Sequence, residues 1–150
     1  MDKNVTTVKL LLLIMRALII DDDKANQYIL KEFLAPFATS DIAQNGEEGV
    51  AVFEAALDSQ LPYDLVCLDI MMPGIDGVET LRRLRTAESE REIFGLDGVK
   101  IIMISAVADT KVVVSAFRDG CEAYLIKPVQ RDDLIRNLKV LKLIASDTGV

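Results

Sequence analysis

The chain contains no histidine in 150 residues. That absence removes the commonest general base at neutral pH and the commonest ligand of transition metals. Cysteine is almost missing as well. Cys67 and Cys121 are too few and too far apart for a disulfide framework or a zinc site. Cys67 lies within an apolar run and reads as a small buried hydrophobe, and the pair suits a reducing cytoplasm. Positive charge is scarce too: 17 Lys and Arg stand against 24 Asp and Glu, a net charge of -7, with no basic cluster anywhere. A nucleic-acid surface needs such clusters, so direct nucleic-acid binding is not expected. A membrane-spanning run is also lacking. Leu10 to Met15, flanked by Lys9 and Arg16, looks like part of a signal peptide but is too short to cross a bilayer and has no small-residue cleavage site. Any metal bound by such a chain should be a hard, oxygen-preferring ion.

What the chain does have is core material, 51% hydrophobic residues over the length of one domain. Residues 16–145 read as that domain. Residues 1–15 read as an N-terminal appendage, either an upstream start or a short packing helix, and residues 146–150 as a tail. Strand and helix patterns alternate throughout. Strands are expected at 16–20, 38–43, 65–68, 100–104 and 123–126, the second of them weak and peripheral. Helices are expected at 24–34, from Asn45-Gly46 to Leu57, at 78 to about 87, at 110–118 with Gly120 as the stop, and at 131–144. The stretch 88–98 should extend the third helix and then loop. Such alternation implies a doubly wound α/β fold, a five-stranded parallel sheet flanked by five helices. The flavodoxin-like strand order 2-1-3-4-5 is the natural candidate.

The first strand runs into Asp21-Asp22-Asp23, and the third runs into Asp69 and the loop Ile70-Met71-Met72-Pro73-Gly74-Ile75-Asp76-Gly77. In the order 2-1-3-4-5 these two strands are neighbours at the topological switch point, so Asp21, Asp22 and Asp69 converge in one cleft. Three carboxylates that close stay ionised only with a cation among them, and Mg²⁺ suits an all-oxygen site that must leave room for a phosphoryl oxygen. A carboxylate beside Mg²⁺ can attack a phosphoryl group and form an acyl phosphate. The remaining strand ends offer the complement: the Ser105 hydroxyl after the fourth strand and the Lys127 ammonium after the fifth, with Pro128 as a rigid turn and the Lys127-Pro128 bond a candidate for cis. Asp23 and Asp76 read as helix N-caps, and Met71 and Met72 as loop anchors. The Val112-Val113-Val114 run should pack the fourth helix on the sheet while exposing part of itself.

In these motifs and their order the chain resembles the receiver domains of bacterial two-component response regulators, over residues 16–144. The resemblance implies that Asp69 accepts a phosphoryl group from a sensor histidine kinase or phosphotransfer protein. It implies Mg²⁺ held by Asp22, Asp69 and the backbone carbonyl of Met71, with Asp21 acting mostly through water. Lys127 would pair with Asp69 and then with the phosphoryl group, Ser105 would swing onto the phosphate, and Tyr124 would be the coupled aromatic switch. Such a protein is no enzyme beyond its own phosphorylation and dephosphorylation. It acts in the cytoplasm by protein contact through its helix-four, strand-five, helix-five face, on a downstream target that the chain does not name. Dimerisation on phosphorylation through that face is a further expectation. Because the chain ends soon after the closing helix, a stand-alone receiver is expected, with a truncated longer regulator, which would look identical, as the alternative.

A haloacid-dehalogenase-type phosphatase is the main alternative, since Asp21-x-Asp23 follows an apolar strand. Ala25 replaces its usual Thr or Val, however, and that reading leaves Asp69 and its turn unused. A flavodoxin-like electron carrier fits less well, because three acids would repel a cofactor phosphate. Within the receiver reading, two apolar residues flank the approach of a hydrolytic water: Met71, two past the acceptor, and Val107, two past Ser105. Neither can orient that water, so self-dephosphorylation should be slow. Followed by decay of the phosphorylated mass, Met71→Asn should shorten the lifetime, whereas a wild-type lifetime of only seconds would contradict the expectation.

Overall fold

Short aliphatic runs set the architecture, because a strand buried on both faces must be apolar at every position. The structure, a computed structural model, describes residues 14–147; residues 1–13 of the expected appendage (1–15) and residues 148–150 of the expected tail (146–150) lie outside the described residues. The strands are β1 (Met15–Ile20), β2 (Ala38–Ala43), β3 (Leu65–Leu68), β4 (Lys100–Ser105) and β5 (Ala123–Ile126). They form one parallel sheet in the order β2-β1-β3-β4-β5, as expected. The helices are α1 (Lys24–Leu34), α2 (Gly46–Asp58), α3 (Gly77–Glu90), α4 (Thr110–Asp119) and α5 (Arg131–Val140), with a 3₁₀ turn at Gly95–Asp97.

Strand periodicity divides the core in two. Leu18, Ile20, Val66, Leu68, Ile101 and Met103 face α2, α3 and α4, where Phe53, Leu81 and Leu84 meet them. Ala17, Ile19, Leu65, Cys67, Ile102 and Ile104 face α1 and α5, against Leu30, Leu34, Leu134 and Leu138. Cys67 is indeed a buried small hydrophobe, its thiol pushed up to about 12 by desolvation. β2, at the sheet edge, alternates between intermediate and exposed until Ala43, which explains its weak signal.

The helix starts follow local chemistry. Asp23, Asn45, Asp76 and Asp109 each accept a backbone N–H of the first turn. Gly120, at φ 111, ends α4 in the left-handed conformation that glycine adopts without strain. Two expectations need correction. The closing helix stops at Val140 rather than residue 144: Lys142 turns left-handed at φ 59, and the N–H of Leu143 returns to the Leu138 carbonyl. Leu141, Leu143 and Ile144 still pack on the α1/α5 side, so their apolar spacing reflected burial without helix. Of the two methionines read as anchors, Met72 is buried but Met71 is 68% exposed. In the valine run, Val112 packs on the core and Val114 is exposed, as the reading required.

Between Asp69 and α3 the chain passes very close to itself. A Cβ on Gly77 would lie 2.1 Å from the Asp69 carbonyl oxygen and 2.6 Å from the Ile70 Cα, both backbone atoms that cannot swing away. Gly77→Ala should therefore cost about 3 kcal/mol of stability, read as a lower urea midpoint, and should shift the Asp69 amide resonance.

Candidate functional site at the strand ends

Register brings the acids together. Ile20 lies opposite Leu68, so the residues after them leave the sheet side by side, and the Asp69 N–H donates to the Ile20 carbonyl at 3.0 Å. Asp21 and Asp69 are buried, Asp22 is exposed, and one carboxylate oxygen of each lies within 4.8 Å of the others. From the end of β5, Lys127 reaches across the cleft. Its Nζ is 3.0 Å from Asp21 Oδ2 and 3.3 Å from Asp69 Oδ2. The Lys127-Pro128 bond is cis. Lys127 thus meets Asp69 as expected, and Asp21 at slightly shorter range.

Burial raises the Asp69 pKa above the ordinary carboxylate range; the Lys127 charge opposes this and the Asp21 charge adds to it. For Lys127, burial pulls the ammonium down, but the hydrogen bond and charge of Asp21, joined by Asp69, outweigh it and hold the group above its usual value. Two buried carboxylates, one exposed carboxylate and a single ammonium leave an excess of negative charge. The donor set is all oxygen, open on the Asp22 side, and this fits Mg²⁺.

Ser105 and Tyr124 belong to an adjoining hydrogen-bonded group. Ser105, fully buried, accepts the Val107 N–H at 3.1 Å, and the Tyr124 hydroxyl donates to the Val107 carbonyl. Burial raises the Tyr124 pKa while its hydrogen bond with Ser105 works to lower it. Met71 projects outward from the loop after β3. Asp23 is occupied elsewhere: its carboxylate accepts the Asn26 N–H at 3.0 Å to cap α1, which weighs against the phosphatase reading that needs it as a catalytic acid.

Some supports had no place in the sequence reading. Gln27, buried on α1, donates to the Asp21 carbonyl at 2.6 Å and to Gln44 Oε1 at 3.1 Å, while Asp21 Oδ1 accepts the Asp23 N–H at 2.9 Å. With Lys127 on Oδ2, Asp21 is held from three sides. The only signal for Gln27 was a polar residue among the inward positions of α1. Glu47, at the start of α2, accepts the Ile75 N–H at 3.2 Å and so ties down the loop that follows Asp69.

Comparison with known proteins gives a consistent result. Residues 17–139 match the model of the response regulator receiver domain family. The transcriptional regulatory protein ResD of Bacillus subtilis is 31% identical over 135 residues, covering 89% of this chain and 50% of ResD. The cell cycle transcriptional regulator CtrA of Caulobacter vibrioides is 34% identical, covering 83% of this chain and 48% of CtrA. The chain thus spans about half the length of these curated relatives. Among solved structures, a CheY-like response regulator receiver domain protein from Methanospirillum hungatei superposes with a TM-score of 0.70 at 30% identity, covering 87% of this chain and 94% of the other. The receiver domain of Ssk1 from Saccharomyces cerevisiae, crystallised with the histidine phosphotransfer protein Ypd1, gives a match with a TM-score of 0.73 at 25% identity, covering 89% and 94%.

The raised Asp69 pKa has a consequence for stability. The folded state holds that proton more tightly than the unfolded chain, so the destabilisation is absent below the unfolded value and develops as pH rises through the higher folded value. In metal-free buffer at neutral pH, Asp69→Asn should therefore melt at a higher temperature than wild type. The difference should vanish on acidification, and a variant less stable at neutral pH would contradict the charge balance described.

Proposed function

The chain belongs to the response regulator receiver domain family of two-component systems, and on that premise we propose that it is a phosphorylation-operated switch with Asp69 as acceptor. The observation that carries this reading is Lys127 bridging Asp21 and Asp69 across neighbouring strand ends. An Asp69 carboxylate oxygen attacks the phosphorus of a phosphohistidine donor; the new O–P bond forms as the donor's P–N bond breaks, leaving an acyl phosphate on Asp69. Lys127 then keeps one partner in Asp21 and offers its charge to the phosphoryl oxygens. Asp22, Asp69 and the Met71 carbonyl would hold Mg²⁺, with Asp21 acting through water. When bound, the ion neutralises the carboxylates and gives the phosphoryl oxygens a counter-charge.

Ser105 is the second group expected to meet the phosphate. Its hydroxyl must leave the Val107 amide to do so, and the Tyr124 hydroxyl, tied to the Val107 carbonyl, would move with it. The strand end and the α4–β5 surface are coupled in this way. That surface exposes Val114, Phe117 and Ile126, an apolar set suited to a protein target or a second phosphorylated copy. The donor would be a sensor histidine kinase or a phosphotransfer protein of the kind crystallised with Ssk1. The receiver unit starts at Met15, the first residue of β1, one residue earlier than the expected boundary at 16, and runs to residue 145. No helix among the described residues is long and apolar enough to cross a membrane.

Incubation with Mg²⁺ and acetyl phosphate, followed by intact mass, tests the assignment. A single phosphoryl adduct should form on wild type and be lost with chelator or in Asp69→Ala. An adduct of equal size in Asp69→Ala would overturn it.

A further inference from the structure

The inward face of α1 carries one residue that packing alone does not explain. Its buried positions are Gln27, Leu30 and Leu34, and the two leucines join the core on that side of the sheet. Gln27 is only 6% exposed, and a buried amide lowers stability unless its polar atoms find partners. An apolar side chain of similar length would fill the place without that cost. The reason for an amide lies in what it holds.

It holds the turn that carries the first acids. Gln27 Nε2 donates to the Asp21 carbonyl at 2.6 Å, and the Gln27 backbone N–H donates to the Asp23 carbonyl at 3.0 Å. One residue thus grips the turn at both ends. The Asp21 carbonyl belongs to the rigid peptide plane that joins Asp21 to Asp22. Fixing that oxygen fixes the direction of the chain as it leaves Asp21, and with it the Cα from which the Asp22 carboxylate projects. The Asp21 carboxylate has anchors of its own, the Asp23 N–H at 2.9 Å and Lys127 at 3.0 Å. The Asp22 side chain is exposed and has no hydrogen bond or ion pair among the described residues. Its placement therefore depends on the backbone alone. Gln27 is itself held, because the same Nε2 also donates to Gln44 Oε1 at 3.1 Å, and the Gln44 N–H donates to Glu48 Oε2 at 3.1 Å. The acid turn, α1 and the start of α2 are locked together by these bonds.

We propose that Gln27 is a positioning residue for Mg²⁺ binding: through the Asp21–Asp22 peptide it presents both acids, Asp22 above all, to the cleft shared with Asp69. It touches neither the ion nor the phosphoryl group. The inference rests on the reading of Asp69 as a phosphoacceptor beside a Mg²⁺ site. Removing a group that stands behind metal ligands commonly weakens binding on the order of ten- to a hundredfold. Lys127 continues to hold Asp21 when Gln27 is lost, so the lower end of that range applies here.

Mg²⁺ titrations of the full chain followed by amide NMR test it, in wild type, Gln27→Met, Gln44→Ala and Tyr63→Phe. Gln27→Met keeps the length of the side chain and loses both donors. It should bind Mg²⁺ about tenfold more weakly than wild type, with the amides of residues 21–23 displaced before any Mg²⁺ is added. Gln44→Ala, at an exposed position, should weaken binding in the same direction by less, and it decides the matter if Gln27→Met does not fold. Tyr63→Phe loses the hydrogen bond to Asp41 at the opposite end of the sheet and should bind Mg²⁺ as wild type does. Wild-type affinity in folded Gln27→Met, or in Gln44→Ala where it stands alone, would overturn the inference. An equal weakening in Tyr63→Phe would also overturn it, since lost stability would then be the cause. A wild type that binds no Mg²⁺ would overturn the underlying reading of the site and this inference together.

Discussion

Everything at the carboxyl end of the sheet depends on one ammonium group. Without Lys127, Asp21 and Asp69 would be two buried negative charges on adjacent strand ends, and burial of either is costly unless it is paired. The pairing is long-range in sequence, joining residues 21, 69 and 127, so it exists only when β1, β3 and β5 occupy one parallel sheet in the correct order. Fold and site therefore specify each other. The single cation leaves the cluster under-neutralised, and that residual charge suits the all-oxygen group to a divalent cation.

A second polar network, at the other end of the sheet, shows what a purely structural charge cluster looks like. Arg85 donates to the carbonyls of Gly120 and Val99 and pairs with Glu88 and Glu122, while the two glutamates accept the N–H groups of Val99 and Ile101. Burial raises the Glu122 pKa, with the Ile101 N–H and Arg85 working against it. Here the acids' partners are nearly all backbone N–H groups and one arginine, and the network clamps α3 to the starts of β4 and β5. The Asp69 carboxylate, by contrast, faces Asp21, Asp22 and Lys127, with the Ile70 N–H as its backbone partner. That difference separates a site from a brace.

The fold was largely legible because each strand is an unbroken apolar run followed at once by a polar or glycine-rich turn, as at Ile20-Asp21 and Leu68-Asp69. Caps such as Asp23 and Asp76 were legible for the same local reason. The acid cluster followed from topology once the strand order was assumed. What was not legible depends on contacts that no local pattern encodes. Gln27 looked like an ordinary polar helix residue, yet it holds the Asp21 backbone. The end of α5 was overestimated because Leu141 and Ile144 keep an apolar spacing after the helix has turned off. Nor could spacing show that Lys127 would sit nearer Asp21 than Asp69, or that Met71 would face outward.

The central claim is that Asp69, Lys127, Ser105 and the two acids after β1 form one phosphoryl-binding unit. The most direct measurement is a titration of the ¹⁵N-labelled protein with beryllofluoride, a phosphoryl mimic, in the presence and absence of Mg²⁺, followed by amide NMR. The account predicts saturable changes that require Mg²⁺ and centre on residues 21–23, 69–72, 105–107 and 127, extending to Tyr124 and α4. Changes that ignore Mg²⁺, or that leave Asp69 and Ser105 unmoved at saturation, would contradict it.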